Sequence, residues 1–445
     1  KIAIEDVVSS YVQLKKAGRN LKGFCPFHQE KTASFYVSPD KQIAYCFGCN
    51  RGGDLFKFIQ EIEGMDFKAA LEFLADRANV DLKDFEYSAK SMVTKDEKER
   101  LKDINKDAST FFVHQLFDTE AGNKVLAYLK NRGLTDETIK EFTIGFAPDS
   151  YDLLFRHLLE KGHQKKEIIE SSLCLARDSS GEKILDRFRL RLIFPIRNEK
   201  GEIVAFGGRA LKKGEEPKYL NSAEYVLYYK GSTLFNYDKS KKYIKENDLA
   251  IVVEGYFDAI LSYQSGAKNV VATSGTAFTE DQIKLLKRRT QNIAFAFDSD
   301  SAGQAALLRG EKIAQKFDLN LFVISIPFGK DCADTVKEKP ELWTTAVENK
   351  KPYLDYFFNH YVTLYGVSTP QGKKDFTDSF LEILEGVHHP VEKDHYIKEL
   401  SKLVGIPADM IYELMKKMQG QNFLRKRTGE GQVLPAPVKD KKERL

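Results

Sequence analysis

Five carboxylates stand just past three short apolar runs in this chain. Glu254 follows Ile251-Val252-Val253, Asp298 and Asp300 follow Phe295-Ala296-Phe297, and Asp331 and Asp334 lie beyond Ile324-Ser325-Ile326-Pro327. Carboxylate oxygens are hard ligands. Acids distant in sequence that meet at one place would therefore hold one or two Mg²⁺ or Mn²⁺ ions, completed by phosphate oxygens and water. That is the apparatus of metal-assisted phosphoryl transfer. The plain alternative is that each Asp caps the helix after it while Glu254 makes an ordinary ion pair, but five acids at one edge would repel one another without cations. Asp258, four residues beyond Glu254, would either support the site or complement a helix dipole.

A second constellation is soft rather than hard. Cys25-Pro26-Phe27-His28 and Cys46-Phe47-Gly48-Cys49 form a CxxH and a CxxC pair separated by 17 residues. Two such knuckles supply the four ligands of a tetrahedral Zn²⁺, and full coordination by protein makes that ion structural. Gly48 permits the tight turn. The alternative is three small buried thiols and a surface histidine. Nearby Lys22, Lys31, Phe35, Tyr36, Lys41, Tyr45 and Arg51 interleave cations with aromatics. That composition suits single-stranded DNA, through phosphate attraction and base stacking, and equally suits a small module's own core. Cys174 and Cys332 have no such spacing and read as ordinary residues, as do the scattered histidines.

A third feature is charge. Residues 183–219 hold ten Lys/Arg against five Asp/Glu, while the whole chain carries only +4. On a strand, the alternation in Asp186-Arg187-Phe188-Arg189-Leu190-Arg191 would put all three guanidinium groups on one face as a cationic stripe. Phe206-Gly207-Gly208-Arg209 adds a glycine pair through which a phosphate backbone can approach, and Lys218 and Lys230 add further cations. A solvated surface is the competing interpretation.

The elements that must position these groups follow from periodicity. The 445 residues, 42% hydrophobic and 30% charged, imply two to four globular domains. No run approaches the ~18 apolar residues of a spanning helix and no signal-peptide pattern opens the chain, so a cytoplasmic protein without membrane contact is expected. The initial Lys suggests a trimmed start, and five cysteines do not make a disulfide scaffold. Helices are expected near Ile4–Val12, Asp54–Glu63 and Phe67–Ala78, and a solvated helix or tether from Phe85 to about Lys106. Gly133 and Thr135 separate two further helices, and 183–210 reads as strands. Between 249 and 336, strands at Leu249–Val253, Val270–Ala272, Ile293–Phe297 and Leu321–Ile326 alternate with helices, one capped by Thr279 with Gln282 and another by Ser301 with Gln304. Such alternation builds a mostly parallel sheet, and the five acids would then share its carboxyl edge. Residues 340–423 are helical by pattern and lead into a basic tail containing Pro435 and Pro437.

These residues carry a resemblance. Glu254-Gly255-Tyr256-Phe257-Asp258 followed by Asp298-Ser299-Asp300 is similar to the Toprim motif shared by primases, topoisomerases and some nucleases. With the Cys25/His28/Cys46/Cys49 module ahead of it, the chain resembles the bacterial replicative DNA primase family across essentially its whole length. The segments from Asp186 to Arg189, Phe206 to Arg209, Pro217 to Ser222 and Lys230 to Gly231 lie between the two. The resemblance implies a multidomain α/β protein. Its parts would be a zinc-ribbon domain (1–85), a linker (86–106), an α+β basic subdomain of an RNA polymerase core (107–248), a Toprim-like parallel α/β sheet (249–337), a helical subdomain (338–423) and a linker-like tail (424–445). It further implies synthesis of short RNA primers from ribonucleoside triphosphates on single-stranded DNA at the replication fork. Glu254, Asp298 and Asp300 would be catalytic, with Asp331 or Asp334 as a further Mg²⁺ ligand and Glu254 as ligand or base. Arg187, Arg189, Arg209, Lys218, Asn221 and Lys230 would contact phosphates or nucleotides, with Arg132 as an additional candidate. The chain departs from the family in spacing Asp331 and Asp334 three apart around Cys332. A domain that docks on the replicative helicase is expected in the full-length family and is not expected in this chain. Strand cleavage on the same fold and a non-catalytic single-strand-binding module are the other two functional classes.

Overall fold

The structure is a computed structural model that describes residues 3–428 apart from 29, 31, 50, 64–66, 79–93, 178–182, 213, 276–277, 298–306, 309, 311–314 and 388. Short strands with two-residue alternation dominate the first unit. After α1 (Ile4–Val8) come β1 (Lys15–Ala17), β2 (Asn20–Gly23), β3 (Phe35–Ser38), β4 (Ile43–Cys46) and β5 (Gly52–Gly53), paired antiparallel in chain order. Alternation sends Phe35, Val37, Ala44 and Cys46 inward, where Ile4, Val7, Val8 and Phe58 complete a small core. Phe58 belongs to α2 (Leu55–Glu63), which α3 (Phe67–Arg77) follows. On the opposite face the register aligns Lys15, Lys22, Tyr36 and Tyr45 in one row across the strands. The first helix stops at Val8, short of the expected Val12.

Residues 94–415 form a separate compact unit. Its first helix, α4 (Lys95–Phe117), starts at a capping box: Glu97 donates its N–H to Thr94 Oγ1 at 3.2 Å and accepts the Thr94 N–H at 2.6 Å. Leu101, Ile104, Ala108 and Phe112 of this helix are buried. The polar run 95–106 is therefore the start of a packed helix rather than a tether, because the apolar stripe that packs it was hidden among charges.

The chain continues with α5 (Glu120–Asn131), α6 (Asp136–Glu141), β6 (Gly145–Ala147), α7 (Leu153–Glu160), α8 (Lys165–Glu170), β7 (Cys174–Ala176), β8 (Ile184–Asp186), β9 (Arg191–Arg197), β10 (Ile203–Ala210) and β11 (Tyr219–Asn221). Strands β11-β10-β9-β6 make an antiparallel sheet, and β7 pairs β8. The expected continuous strand through 186–191 is absent. Asp186 accepts the N–H groups of Leu154 and Phe155 at 2.9 and 3.0 Å, which pins the end of β8 to the start of α7. Phe188 is buried, and Leu190 takes a left-handed φ of 46° before β9 begins. Alternation cannot operate across that turn, so no three-arginine stripe forms.

Next come α9 (Tyr237–Glu246), β12 (Ala250–Val253), α10 (Tyr256–Gln264), β13 (Val270–Ala272), α11 (Glu280–Lys287), β14 (Asn292–Phe295), β15 (Asn320–Val323), α12 (Cys332–Glu338), α13 (Pro340–Glu348) and β16 (Lys351–Pro352). The sheet order is β13-β12-β14-β15-β16, parallel except for β16. Every residue of β12 is buried, as a strand covered on both faces requires. From β12 the chain builds β13 on one side and then crosses to β14 on the other. The carboxyl end of β12 is thus a topological switch point, where such sheets bind ligands. The capping box of Thr279 with Gln282 is present, and the expected Ser301 cap lies outside the described residues. Helices α14 (Tyr353–Tyr365), α15 (Pro370–Glu385), α16 (Pro390–Val404) and α17 (Ala408–Thr428) follow. No helix among the described residues is long and apolar enough to cross a membrane.

Candidate functional site

The cysteine and histidine knuckles converge. The ligand atoms of Cys25, His28, Cys46 and Cys49 all lie within 4.8 Å of one another. Cys25 Sγ is 3.8 Å from Cys49 Sγ, and Cys46 Sγ is 3.8 Å from His28 Nδ1. A tetrahedral ion bound at about 2.3 Å to each sulfur sets them about 3.8 Å apart, so the donor set fits Zn²⁺. Backbone N–H groups of Phe27 and Gly48 point at Cys25 Sγ and Cys46 Sγ, each at 3.3 Å, as thiolate ligands require. A Cβ on Gly48 would lie 2.9 Å from His28 Nε2 and 2.8 Å from Ser34 Oγ, so only glycine fits this turn. Of the expected DNA-stacking residues, Phe35 is buried in the module's core. Tyr36 and Tyr45 instead pack edge-on against Phe47, at 5.5 and 5.1 Å between centroids, with Lys22 Nζ 5.1 Å above Tyr36. Phe47 is 67% exposed, an aromatic the sequence reading had left out of this surface.

In the second unit, a cavity of about 920 Å³ opens at the carboxyl end of β12. Glu254 follows that strand directly, and Asp258, Asp331 and Asp334 line the same space. Phe297, the residue before Asp298, lines it too. Asp298 and Asp300 themselves lie outside the described residues. Asp258 bridges two helices: Oδ2 accepts the Gly255 N–H at 3.1 Å and Oδ1 accepts the Ala333 N–H at 3.3 Å. Burial, and then the neighbouring Asp331 carboxylate, push its pKa up to about 6. Asp331 caps α12, accepting the Asp334 N–H at 2.7 Å on Oδ1. Capping thus uses one of its oxygens. Cys332 is buried against Ser262, so the unusual spacing turns a small side chain into the helical core.

Cations and one amide line the same cavity. Arg132, Arg187, Arg209, Lys218, Asn221 and Lys230 all border the cavity. The three arginines expected on one face point three ways. Arg187 donates Nε and Nη2 to the Asn221 carbonyl at 3.1 and 2.9 Å. Arg189 stacks 4.7 Å over Tyr151 and does not line the cavity. Arg191 is buried and donates to the carbonyls of Gly208 and Pro217 and to Glu215. The guanidinium groups of Arg132 and Arg209 each sit 4.9 Å from the centroid of the Phe257 ring. Arg209 also donates to Tyr219 Oη at 2.8 Å.

Several contributors escaped the sequence. Lys330 borders the cavity beside Asp331. Tyr256 is buried, stacks on Phe194 at 4.9 Å and 7°, and donates its hydroxyl to Asn221 Oδ1 at 2.8 Å. Asn221 Nδ2 donates to the Ser274 carbonyl at 2.9 Å, and the Ser274 N–H donates to the Glu254 carbonyl at 3.0 Å. The glycine pair serves packing, since a Cβ on Gly207 would fall 2.3 Å from Tyr256 Oη.

Four family models match in series. Residues 1–90 match the CHC2 zinc finger, 111–241 the N-terminal domain of the DNA primase catalytic core, 251–336 the Toprim-like family and 354–409 the DnaB-helicase binding domain of primase. The last match revises the expectation that no helicase-docking segment is present. The DNA primase of Clostridium acetobutylicum is 37% identical over 441 residues, which cover 97% of this chain and 72% of that protein. The Aquifex aeolicus primase, solved with its zinc-binding and RNA polymerase domains, aligns with a TM-score of 0.61 and 28% identity over 92% of this chain and 96% of that one. A primase catalytic domain bound to single-stranded DNA aligns at 0.60 and 29% over 71% of this chain and 100% of that one. By its run of family models and its identity along most of its length, the chain belongs to the DNA primase family.

Proposed function

We propose that this chain is a DNA-directed RNA polymerase that lays short RNA primers on single-stranded DNA, with its chemistry in the cavity at the end of β12. The observation that carries this assignment is the meeting of acids and cations around one space: Glu254, Asp331 and Asp334 line the same cavity as Arg187, Arg209, Lys218 and Lys230. Such a cavity suits a substrate that brings both a divalent ion and several phosphates.

Glu254, Asp298, Asp300 and Asp331 would hold Mg²⁺ or Mn²⁺, with Asp334 as the alternative to Asp331. The bound ions would lower the pKa of the primer 3′-hydroxyl and neutralise the leaving pyrophosphate. Glu254 would ligate or accept the hydroxyl proton. Arg209, Lys218 and Lys230 would hold triphosphate and template phosphates, while Arg187 and Asn221 would set the shape of the wall. The row Lys15, Lys22, Tyr36 and Tyr45, with exposed Phe47, would take single-stranded template by phosphate attraction and stacking. The segment 354–409 would engage the replicative helicase.

Incubation with single-stranded DNA, Mg²⁺ and labelled ribonucleotides tests the assignment. Short RNA products are expected. Nicked DNA would instead favour strand cleavage, and retention without product would favour a binding module.

A further inference from the structure

The metal centre contains a fifth side chain that ligand spacing does not reveal. Glu30 lies two residues past His28, and its carboxylate is 9% exposed. Its Oε1 accepts the N–H of Cys25 at 2.7 Å and of Ser34 at 3.0 Å. Its Oε2 accepts the Ser34 hydroxyl and lies 3.4 Å from His28 Nε2. The other imidazole nitrogen, Nδ1, faces Cys46 Sγ at 3.8 Å. The ring therefore stands between the thiol cluster and the carboxylate.

We propose that Glu30 is the positioning residue of this centre. Its carboxylate takes the His28 Nε2 proton as a partner, which leaves Nδ1 as the metal-facing lone pair. The same carboxylate closes the 25–34 loop that carries two of the four ligands. The proposal rests on the assignment of Zn²⁺ to Cys25, His28, Cys46 and Cys49. Carboxylates that orient a ligating histidine commonly contribute about 10–100-fold in metal affinity. Ser34 joins the arrangement, because its hydroxyl lies 3.2 Å from Cys46 Sγ while it donates to Glu30.

Glu30→Gln separates the two roles. The amide retains a carbonyl oxygen for the Cys25 and Ser34 N–H groups, but it sets an N–H₂ donor against the His28 N–H. In the full chain, zinc transfer to a chromogenic chelator should be about 10–100-fold faster for E30Q than for wild type, at an unchanged starting stoichiometry. The visible absorption of the Co²⁺-substituted protein should shift with the altered imidazole. The decisive arm is the H28C background, where no imidazole remains for Glu30 to orient. There E30Q should leave zinc release unchanged or slow it.

Wild-type release by E30Q overturns the proposal, as does equal acceleration in both backgrounds, which would mean that Glu30 only shapes the loop. Complete zinc loss by E30Q supports the proposal if H28C/E30Q binds as tightly as H28C, and counts against it otherwise. A wild-type chain that binds neither Zn²⁺ nor Co²⁺ would instead remove the metal assignment on which the inference stands.

Discussion

Asn221 accepts the Tyr256 hydroxyl at 2.8 Å, and this hydrogen bond joins the last strand of the antiparallel sheet to the first helix after Glu254. The amide of Asn221 is engaged at both ends, because its Nδ2 also donates to the Ser274 carbonyl. Burial lifts the Tyr256 phenol well above its ordinary pKa, so the hydroxyl stays a donor at any working pH. Asn221→Ala leaves that buried donor without its partner and should cost about 1–3 kcal/mol, whereas Tyr256→Phe should cost about 1 kcal/mol. Denaturant midpoints of both variants and of the double variant check this. The double variant should lose less than the sum of the singles.

Gly207 tests the same junction from the other side. A methyl group there meets Tyr256 Oη at 2.3 Å, so Gly207→Ala must displace the tyrosine and should destabilise by about 1–3 kcal/mol. Gly231→Ala, where the nearest atom would be 3.8 Å away, is the matched control and should be far milder.

Arg209 and Arg189 should behave differently although both are arginines of the basic segment. Arg209 lines the cavity, and Arg189 stacks on Tyr151 away from it. Arg209→Ala should weaken single-stranded DNA binding and reduce the dependence of log K on log salt by about one. Arg189→Ala should leave that slope close to wild type. Titrations at several salt concentrations distinguish the two.

Asp186 gives a pH dependence of stability. Burial raises its pKa from 3.8 to about 6, against the lowering effect of the Leu154 and Phe155 N–H groups. The folded chain therefore holds this proton more tightly than the unfolded chain does. Its contribution favours folding below about pH 4 and is lost as the pH rises to about 6, at a cost of about 2–3 kcal/mol. Melting temperatures of wild type and Asp186→Asn, compared across pH 4–7, should converge or cross as the wild type loses this contribution.

What could be read from the sequence depended on how local each signal was. The zinc ligands announce themselves by two-residue knuckles, and the sheet by buried runs such as Ala250–Val253, so both were legible. Asp186 shows the failure: on paper it begins an alternating strand, yet its carboxylate holds the start of α7, and that contact 32 residues away breaks the strand. Leu101 and Ile104 were masked by surrounding charges, so α4 resembled a tether until its partners were seen. Glu30 and Tyr256 act through neighbours that spacing cannot supply. The helicase-binding match at 354–409 covers a stretch read from the sequence only as helical.

The central claim is that acids at the end of β12 and beyond β14 perform nucleotidyl transfer. Ribonucleotide incorporation on single-stranded DNA, measured for Asp298→Ala and Glu254→Gln beside template affinity, tests it most directly. Primer synthesis should fall at least about 100-fold in each variant, with template affinity within a few-fold of wild type. Primer synthesis at the wild-type rate by either variant, at ordinary Mg²⁺ concentration, would contradict the account.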